Sequence, residues 1–390
     1  MTASLGERYV VLGLRLGRLV DGLVDGYFGP PELQAAAESG EAAQAMELRA
    51  EAVALRAEVA DANLDPQQRR WLVGQLEGLT CTAELAAGEH VSWVEAVRRC
   101  YGIEFGPTPE EEFDRIHHRL DAVLPGSGAV ADRLERWNES QYVPATSLLD
   151  GYAALSDELR ARTRQLVDLP ADEGIQAELV TGKPWSAYNW YLGRRRSRIE
   201  INTELPFRAH ALAIIAAHEG YPGHHTEHAC KEAHLVDELG RVESSILMIH
   251  APECLVSEGI AQIALTAGLG KDWPAEVARI LRPLGIPFDP VVAGVVAEAD
   301  NELRRVQADV AYLAHERGWS IDELVAFEQR YALSNEDRAR KRVEFATDPL
   351  WAAYVPTYSS GEPLVRAYAG KQPGNLRRLL TEQLTTADLL

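Results

Sequence analysis

Mixed blocks of apolar and charged residues, typical of helices, occupy most of the chain. Residues 40–64 are rich in Ala, Leu, Glu and Arg, all of which are strong helix formers. The next block opens with Asp65 as a helix cap and Pro66 at the first helical position, and it closes at Gly88. The N-terminal part is therefore predicted to contain two successive helices.

Further blocks carry the same signals. In a capping box, a hydroxyl residue is followed three positions later by a glutamate, and each caps the backbone of the other. The pattern occurs as Thr108 with Glu111, separated by Pro109, and as Ser320 with Glu323. Residues 288–319 predict one long helix that ends at Gly318.

Signals for β-structure are few. Partial alternation of isoleucine with polar residues predicts a strand over Ser197–Leu205, just before a histidine-rich segment. We therefore expect a mainly α protein with a small β element beside the histidines. An N-terminal helical region, 1–170, would precede a region that carries the chemistry, 171–390, and the two can form one continuous domain.

Composition mainly excludes classes of partner. The 390 residues are 46% hydrophobic and 25% charged, which is typical of a globular chain. The net charge of −20 argues against nucleic acids and anionic membranes, because both bind basic surfaces. No apolar run reaches the roughly 18 residues of a bilayer span. Glu7 and repeated arginines interrupt any signal-peptide core, so we expect a cytoplasmic protein.

Two smaller features each have an ordinary interpretation. The cysteines show no paired spacing and are expected to be buried free thiols: Cys81, Cys100, Cys230 and Cys254. A basic stretch, Gly193–Arg198, is either a solvated turn with salt-bridge partners or a patch that binds an anion such as a substrate carboxylate.

The segment Ala216–His228 reads AAHEGYPGHHTEH and concentrates the candidate chemistry. Zinc holds histidine nitrogens at about 2.0–2.1 Å, so two ligating nitrogens must lie within about 4 Å of each other. His218 and His224 are separated by 224 − 218 = 6 positions. On an unbroken helix they would lie about 9 Å apart along the axis and point to different sides.

Pro222 and Gly223 provide a way around this spacing. Proline cannot donate to the carbonyl four residues earlier, and glycine adopts backbone angles that other residues avoid. If the chain loops out there and re-enters a helix at His224, then His218 and His224 can share a metal ion. Glu219, beside the first ligand, is then the candidate general base.

A second motif overlaps the first. HHTEH fits the inverted arrangement H-x-x-E-H, in which His224 and His228 are the ligands and Glu227 is the base. This version needs no break in the helix. His225 also remains open as the second ligand.

The third ligand is expected on a following helix. Glu258 lies in SEGIA, and this segment resembles the NEGxA segment that carries the ligating glutamate in thermolysin-like peptidases. Glu253 competes for the same role. Gln262, one turn after Glu258, is a candidate partner that orients the ligand.

Three segments together resemble one bacterial family. INTELP, HEGYPGHH and SEGIA are similar to the family called domain of unknown function 885, considered related to zinc metallopeptidases. A closing segment, Tyr358–Gln372, is similar as well, so the resemblance covers roughly residues 180–372. It implies a gluzincin-type, zincin-like metallohydrolase, and it favours His218, Glu219, His224 and Glu258 over the inverted motif.

This chain departs from the family pattern beside the third ligand. Ile260 and Ile263 stand where the family has tryptophan and tyrosine, which is expected to change the wall of the site. The chain is shorter than many members of that family, so part of their N-terminal region is expected to be missing here. Substrate specificity therefore does not carry over.

The resulting hypothesis is a zinc-dependent hydrolase of a peptide or amide bond, with one zinc ion per chain. Candidate oxyanion donors are Tyr354, Tyr358, Tyr368 and Arg366, and the resemblance favours Tyr358 and Arg366. The segment Arg195–Glu204 could bind substrate as an edge strand. Its arginines could hold a substrate carboxylate, which would make the protein a carboxypeptidase or small-peptide hydrolase.

Two rival functions belong to other classes. Two histidines and one carboxylate also form the iron site of non-heme oxygenases. Alternatively, the protein binds a partner and keeps a metal ion only for stability. The sequence reveals neither the substrate nor the oligomeric state.

Overall fold

The computed structural model describes residues 3–40, 43–183, 185–204 and 206–390. Helices dominate, so the predicted mainly α class is confirmed. The first helices are α1 (Leu5–Gly17), α2 (Pro31–Glu38), α3 (Ala45–Asp61), α4 (Pro66–Ala86), α5 (Trp93–Tyr101), α6 (Glu110–Val123), α7 (Val130–Ser140) and α8 (Leu148–Thr163). The later ones are α9 (Ala209–Ile215), α10 (His224–Lys231), α11 (Pro252–Leu269), α12 (Trp273–Leu281), α13 (Pro290–Glu302), α14 (Arg304–Arg317), α15 (Ile321–Ala332), α16 (Glu336–Thr347), α17 (Thr357–Lys371), α18 (Asn375–Thr381) and α19 (Thr386–Leu389).

Strands and irregular helical turns complete the fold. The strands are β1 (Val24–Tyr27), β2 (Gly174–Val180), β3 (Ala187–Tyr191), β4 (Arg196–Asn202) and β5 (Ile246–Met248). The π-helical turns are Ala216–Gly220 and Glu232–Glu238. The 3₁₀ turns are Ala145–Ser147, Val242–Ser245 and Arg282–Leu284.

Helix caps account for several of the predicted boundaries. The Asp65 carboxylate accepts hydrogen bonds from the first free amides of α4, and Gly88 follows the helix in the left-handed conformation. Ser320 and Glu323 form the predicted capping box of α15. Both caps satisfy amide groups that would otherwise lack partners at a helix start.

The predicted cap at Thr108 is wrong. Helix α6 begins at Glu110 and its cap position is Pro109, which makes no side-chain cap bond. The Thr108 amide instead donates to the Asp309 carboxylate at 3.1 Å. A tertiary contact therefore fixes the backbone at Thr108 in place of the predicted cap.

The long helix predicted over 288–319 is also wrong, because it is divided at Leu303. Helix α13 ends at Glu302 and α14 begins at Arg304. Leu303 is buried with a cluster that includes Phe113, and the helices on either side of it pack on different partners. Helix α13 packs on α6 and α12, whereas α14 packs on α15 and α16.

Two small sheets link distant parts of the chain. β1 pairs antiparallel with β5, and the other sheet has the order β2–β4–β3, with β2 parallel and β3 antiparallel to β4. The predicted strand Ser197–Leu205 corresponds to β4, although Leu205 itself lies outside the described residues. Because β4 is the central strand, its backbone is paired on both sides. The prediction that this segment binds substrate as an edge strand is therefore wrong.

Helices α11 and α17 approach unusually closely. A Cβ atom added to Gly259 of α11 would lie 2.6 Å from the Gly361 carbonyl oxygen, and one added to Gly361 would lie 2.6 Å from the Leu255 carbonyl oxygen. Two glycines thus let the backbones touch. This contact sets the position of Tyr354, just before α17, and of Tyr358, in its first turn, relative to Glu258.

The hydrophobic core does not divide at the predicted region boundary. One cluster combines residues of α1, α3 and α4 with Ile246, Met248 and Ala251. Another combines α5 with α14 to α16. A boundary at residue 170 remains a prediction. The cysteines are free, as expected, and three of the four are buried.

Candidate metal centre

The break between the histidines occurs where Pro222 and Gly223 predict it. The π turn ends at Gly220 and a new helix begins at His224. The Gly223 amide donates to the Ala217 carbonyl at 3.0 Å, and a Cβ atom at this position would lie 2.0 Å from the His218 carbonyl oxygen. Only glycine therefore fits this crossing.

The break brings candidate ligands together. The His218 and His224 rings lie 4.8 Å apart between centroids, and ligand atoms of His218, Glu219 and His224 all lie within 4.8 Å of one another. Glu258 reaches the same point from α11, with its carboxylate oxygens 3.8 Å from His218 Nε2 and 3.6 Å from His224 Nε2. Two imidazoles and two carboxylates thus surround one position.

A buried chain of polar groups orients His224. Its Nδ1 lies 3.1 Å from the Ser257 hydroxyl, and that hydroxyl donates to Glu227 at 2.6 Å. Because Ser257 has a single proton, His224 Nδ1 must carry the hydrogen that binds the Ser257 oxygen. The lone pair of His224 then lies on Nε2, the nitrogen that faces Glu258.

The same chain of polar groups includes Glu227, the candidate base of the inverted motif. Lys231 donates to Glu227 at 2.7 Å and to Glu253 at 2.7 Å, and Glu227 is 1% exposed. Both Glu227 oxygens are thus held by Ser257 and Lys231. Glu227 is a supporting residue rather than a free base, and Glu253 is the counter-ion of Lys231 rather than a third ligand.

The other histidines of the segment have different surroundings. His225 is fully buried, and its two ring nitrogens lie 2.8 Å from the Ser197 hydroxyl and 3.1 Å from Glu173. Neither nitrogen is left for a metal. His228 stacks on His224 at 5.9 Å and also contacts Tyr191. Its imidazole lies beside the cluster rather than within it.

Tyrosines from the start of α17 and the preceding turn complete one side of the centre. Tyr354 donates to Glu258 Oε1 at 2.7 Å, and its oxygen lies 3.1 Å from the Tyr358 hydroxyl. Among the described residues, the other Glu258 oxygen, Oε2, is buried without a hydrogen-bond partner. That oxygen is the one 3.8 Å from His218 Nε2.

Burial shifts the pKa values of the central groups. Burial raises the pKa of Glu219 to about 7, with the nearby charge of His224 opposing and that of Glu258 reinforcing the shift. Burial also raises the pKa of Glu258 and lowers the pKa of His218 well below its usual value. A carboxyl group that titrates near neutrality can both accept and release a proton.

Two of the predicted oxyanion donors lie elsewhere. Arg366 is two turns beyond Tyr358 on α17, its side chain is 53% exposed, and it pairs with Glu362. The Tyr368 ring packs in a different core cluster, beneath the Arg378 guanidinium. Because the helix carries Arg366 outward into solvent, the structure does not bring it to the candidate centre.

The basic stretch is a turn with salt-bridge partners. Arg195 pairs with Asp172 and Asp237, and Arg198 pairs with Glu178 and Glu200. The stretch forms the end of the turn between β3 and β4 and the first residues of β4. Arg195 and Arg198 already have carboxylate partners, so the prediction that these two arginines hold a substrate carboxylate is not supported.

The two family departures also lie away from the centre. Ile260 and Ile263 are 1% and 4% exposed and pack in a core cluster with Val365. Ile260 is two positions from Glu258, which places it on the opposite side of α11. The expected change in the wall of the site is therefore wrong.

The sequence analysis missed Asp25, Tyr188 and Asn189, three residues close to the centre. Asp25 accepts a hydrogen bond from Tyr188, and burial raises the pKa of Asp25 although Tyr188 and His224 oppose this. Asn189 on β3 donates to the Glu219 carbonyl at 2.7 Å. The sequence offers one signal for Asp25, which is a carboxylate inside the predominantly apolar run Leu23–Phe28. The position of Asp25 itself depends on the pairing of β1 with β5.

Comparisons with known proteins supply a fold but no function. No protein-family model matches the chain. It is 28% identical over 209 residues to the protein translocase subunit SecA of Micrococcus luteus, a match that covers 50% of this chain and only 20% of SecA. The chain therefore spans about a fifth of that relative's length.

A solved structure resembles almost the whole chain. It belongs to a Shewanella oneidensis protein that is described as a lipoprotein of unknown function. The two superpose with a TM-score of 0.53 at 12% identity, over 96% of this chain and 80% of the other. The likeness shows a shared fold alone. Within the described residues, no helix of this chain has both the length and the apolar character that crossing a bilayer requires.

Proposed function

We propose that this protein is a zinc-dependent hydrolase that cleaves a peptide or amide bond. The observation that carries the proposal is the approach of His218, His224 and Glu258 to one point, with Glu219 beside it. Two histidines and a glutamate are a common ligand set of catalytic zinc. The proposal includes membership of the family called domain of unknown function 885. It also includes a zincin-like fold and a cytoplasmic location.

The donor groups fit a divalent cation. Glu258 Oε2 is buried without a partner among the described residues, and a cation would satisfy it. The Ser257 contact leaves the His224 Nε2 lone pair free for a metal, and the Glu227–Lys231 pair supports Ser257 from behind. A zinc ion held by these three side chains would lower the pKa of a bound water and polarise the substrate carbonyl.

The protein groups then divide the proton transfers. Glu219, beside the proposed ligands, accepts a proton from the attacking water and delivers it to the leaving amine. Among the described residues, the Tyr358 hydroxyl has one hydrogen-bond partner, the Tyr354 oxygen, and it can turn its proton from there to the developing oxyanion. Asn189 fixes the backbone at Glu219 and thereby the direction of its side chain.

Elemental analysis of untagged protein tests the metal assignment. We expect one zinc ion per chain, lost in His218→Ala and in Glu258→Ala. His228→Ala is the matched control, because it removes an imidazole stacked on His224 without removing a proposed ligand. Zinc retained in His218→Ala but lost in His228→Ala would restore the inverted motif. Iron in place of zinc would favour oxygen chemistry.

A substrate screen tests the hydrolase assignment. The zinc-loaded protein is assayed against short peptides and N-acyl amino acids, together with Glu219→Gln. We expect hydrolysis that Glu219→Gln abolishes while zinc content stays at one per chain. Hydrolysis that survives in this variant would refute Glu219 as the base. Bound zinc without turnover on any substrate would favour a metal-stabilised binding protein.

A further inference from the structure

Arg304 stands at the edge of the candidate centre. It is the first residue of α14, immediately after the break at Leu303. Its guanidinium carbon lies 5.5 Å from the centre of the Tyr358 ring. Tyr358 contacts Tyr354, and Tyr354 donates to Glu258. A cation thus lies at the end of a chain of contacts that begins at a proposed metal ligand.

Within the described residues, Arg304 lacks a carboxylate partner, unlike Arg342 and Arg208 in the same part of the fold. Arg342 pairs with Glu328 at 2.9 Å, and Arg208 lies 3.9 Å from Asp300. In the part of the chain that the structure describes, no carboxylate lies within 4.0 Å of the Arg304 guanidinium nitrogens, and no group accepts a hydrogen bond from them. The guanidinium has five N–H groups arranged to bind a planar anion.

The surroundings of Arg304 favour an anionic partner. The residue is partly buried, and burial lowers its pKa, with Tyr358, Glu258 and Asp300 opposing the shift. A partly desolvated cation normally has a counter-ion. The charge of Arg304 also acts on His218 and Glu258. An anion bound to the Arg304 guanidinium would therefore lie near the proposed metal ligands.

We propose that Arg304 binds a carboxylate of the substrate, so that the site cleaves peptides or N-acyl amino acids with a free carboxylate near the scissile amide. This inference rests on the proposed hydrolase function. An arginine fork binds a carboxylate through two parallel hydrogen bonds, which orients as well as attracts it. The carboxylates of Asp25, Glu219 and Glu258 together carry more negative charge than one zinc ion neutralises, so a cation beside them favours an anionic substrate.

Paired substrates test the assignment. N-acetyl dipeptides with a free C-terminal carboxylate are compared with the same dipeptides as C-terminal amides. We expect the wild type to prefer the acid on the order of 100-fold in kcat/KM, mainly through KM. Arg304→Met should bring this ratio close to one at unchanged zinc content. Arg304→Lys, which keeps the charge but not the fork, should recover part of it.

Arg305→Met is the matched control. Arg305 is the next residue of the same helix, but it is exposed and pairs with Glu112 at 2.9 Å. It should keep the full preference for the acid. Circular dichroism identifies any variant that fails to fold. If Arg304→Met fails to fold, Arg304→Lys is compared with the wild type in its place. Hydrolysis with equal rates on acid and amide in the wild type would overturn the role of Arg304 while leaving the hydrolase function intact.

A binding measurement separates this inference from the proposed function. Calorimetry compares N-acetyl-alanine with N-acetyl-alanine amide on the wild type and on Arg304→Met. Tighter binding of the acid that disappears in the variant would support the carboxylate site even if no substrate were cleaved. Equal binding of both ligands, or binding of neither, would overturn it.

A further comparison of substrates identifies which carboxylate of the substrate Arg304 binds. C-terminally amidated peptides with Asp or Glu beside the scissile bond are compared with their Asn or Gln counterparts. A preference for the acidic side chain that depends on Arg304 would assign the site to that side chain. Its absence, together with the C-terminal preference, would assign the site to the terminal carboxylate.

Discussion

The Ser257 hydroxyl lies 3.1 Å from His224 Nδ1, although the two residues are 33 positions apart. The same hydroxyl donates to Glu227, so His224 is fixed with its Nε2 lone pair toward Glu258. Ser257 precedes Glu258 on α11. One helix therefore supplies both a proposed metal ligand and the residue that orients a second one.

Removing the Ser257 hydroxyl should weaken metal binding without unfolding the protein. We expect Ser257→Ala to lower zinc affinity by about 10- to 100-fold, because the partner that fixes the His224 tautomer is lost. Competition with a zinc-sensitive chelating dye measures the affinity. Ser359→Ala is the control, since its hydroxyl bonds only to the Pro356 carbonyl of its own helical turn. Equal affinities in both variants would contradict the role of Ser257.

A methyl group at Gly361 should separate α17 from α11. Its Cβ would lie 2.6 Å from the Leu255 carbonyl oxygen, so we expect Gly361→Ala to reduce the free energy of unfolding by about 1–3 kcal/mol or more. Urea denaturation measures the change.

Gly370→Ala provides the comparison on the same helix. No atom lies within 4 Å of the added Cβ, so the substitution should be neutral or stabilising by up to about 1 kcal/mol. A similar loss of stability in both variants would mean that the helix contact is not the cause.

Glu232 should stabilise the turn between β3 and β4. Arg194 and Arg195 have positive φ angles of 54° and 58°, and their amides donate to the Glu232 carboxylate at 2.8 and 2.7 Å. Left-handed non-glycine residues cost roughly 1–3 kcal/mol each unless their surroundings hold them in place.

We expect Glu232→Ala to lower the free energy of unfolding by about 2–4 kcal/mol, measured by urea denaturation at pH 7. Glu238→Ala removes an exposed carboxylate from the same π turn and should change stability by less than about 0.5 kcal/mol. Arg194→Gly should recover part of the loss, because glycine adopts this conformation freely.

Glu173 should contribute stability that disappears in acid. Burial alone would raise the pKa of Glu173, but hydrogen bonds from His225, Tyr221 and Arg160 lower it to about 2. A carboxyl group with a depressed folded-state pKa stabilises the protein above its unfolded pKa, about 4.5. This stabilisation is lost as pH falls from about 4.5 toward 2, and it amounts to at most about 3 kcal/mol.

The measurement compares wild type with Glu173→Gln across this range. The difference in unfolding free energy between them should be largest near pH 7 and should shrink steadily below pH 4.5. A difference that stays constant down to pH 2.5 would mean that the ionised form of Glu173 adds no stability.

Local signals in the sequence predicted much of the helical structure. Asp65 with Pro66 and Ser320 with Glu323 locate helix starts because a capping bond depends on residues three positions apart. The break at Pro222–Gly223 could be predicted for the same reason, since a missing amide and a missing Cβ act on their immediate neighbours. The proximity of His218 to His224 follows from that break.

The predictions that were wrong are those that depend on contacts between residues far apart in the sequence. Asp309 binds the Thr108 amide and displaces the predicted cap, and the two halves of the predicted long helix pack on different helices. The role of the basic stretch depended on Asp172 and Asp237, which accept the hydrogen bonds of Arg195. Propensity and spacing do not contain these contacts, because each joins segments that are far apart along the chain or on separate elements.

The sequence by itself determined the helical class, the paired histidines and the glutamate between them, because these depend on residue type and short spacing. Only the tertiary structure decided which groups are available for chemistry. It ties Glu227 and Glu253 to Lys231, sends Arg366 into solvent, and brings Asp25 and Arg304 near enough for their charges to act on Glu258. Those assignments depend on how β1, α14 and α17 pack around α11, and packing of distant elements is set by burial of the whole core rather than by any local pattern.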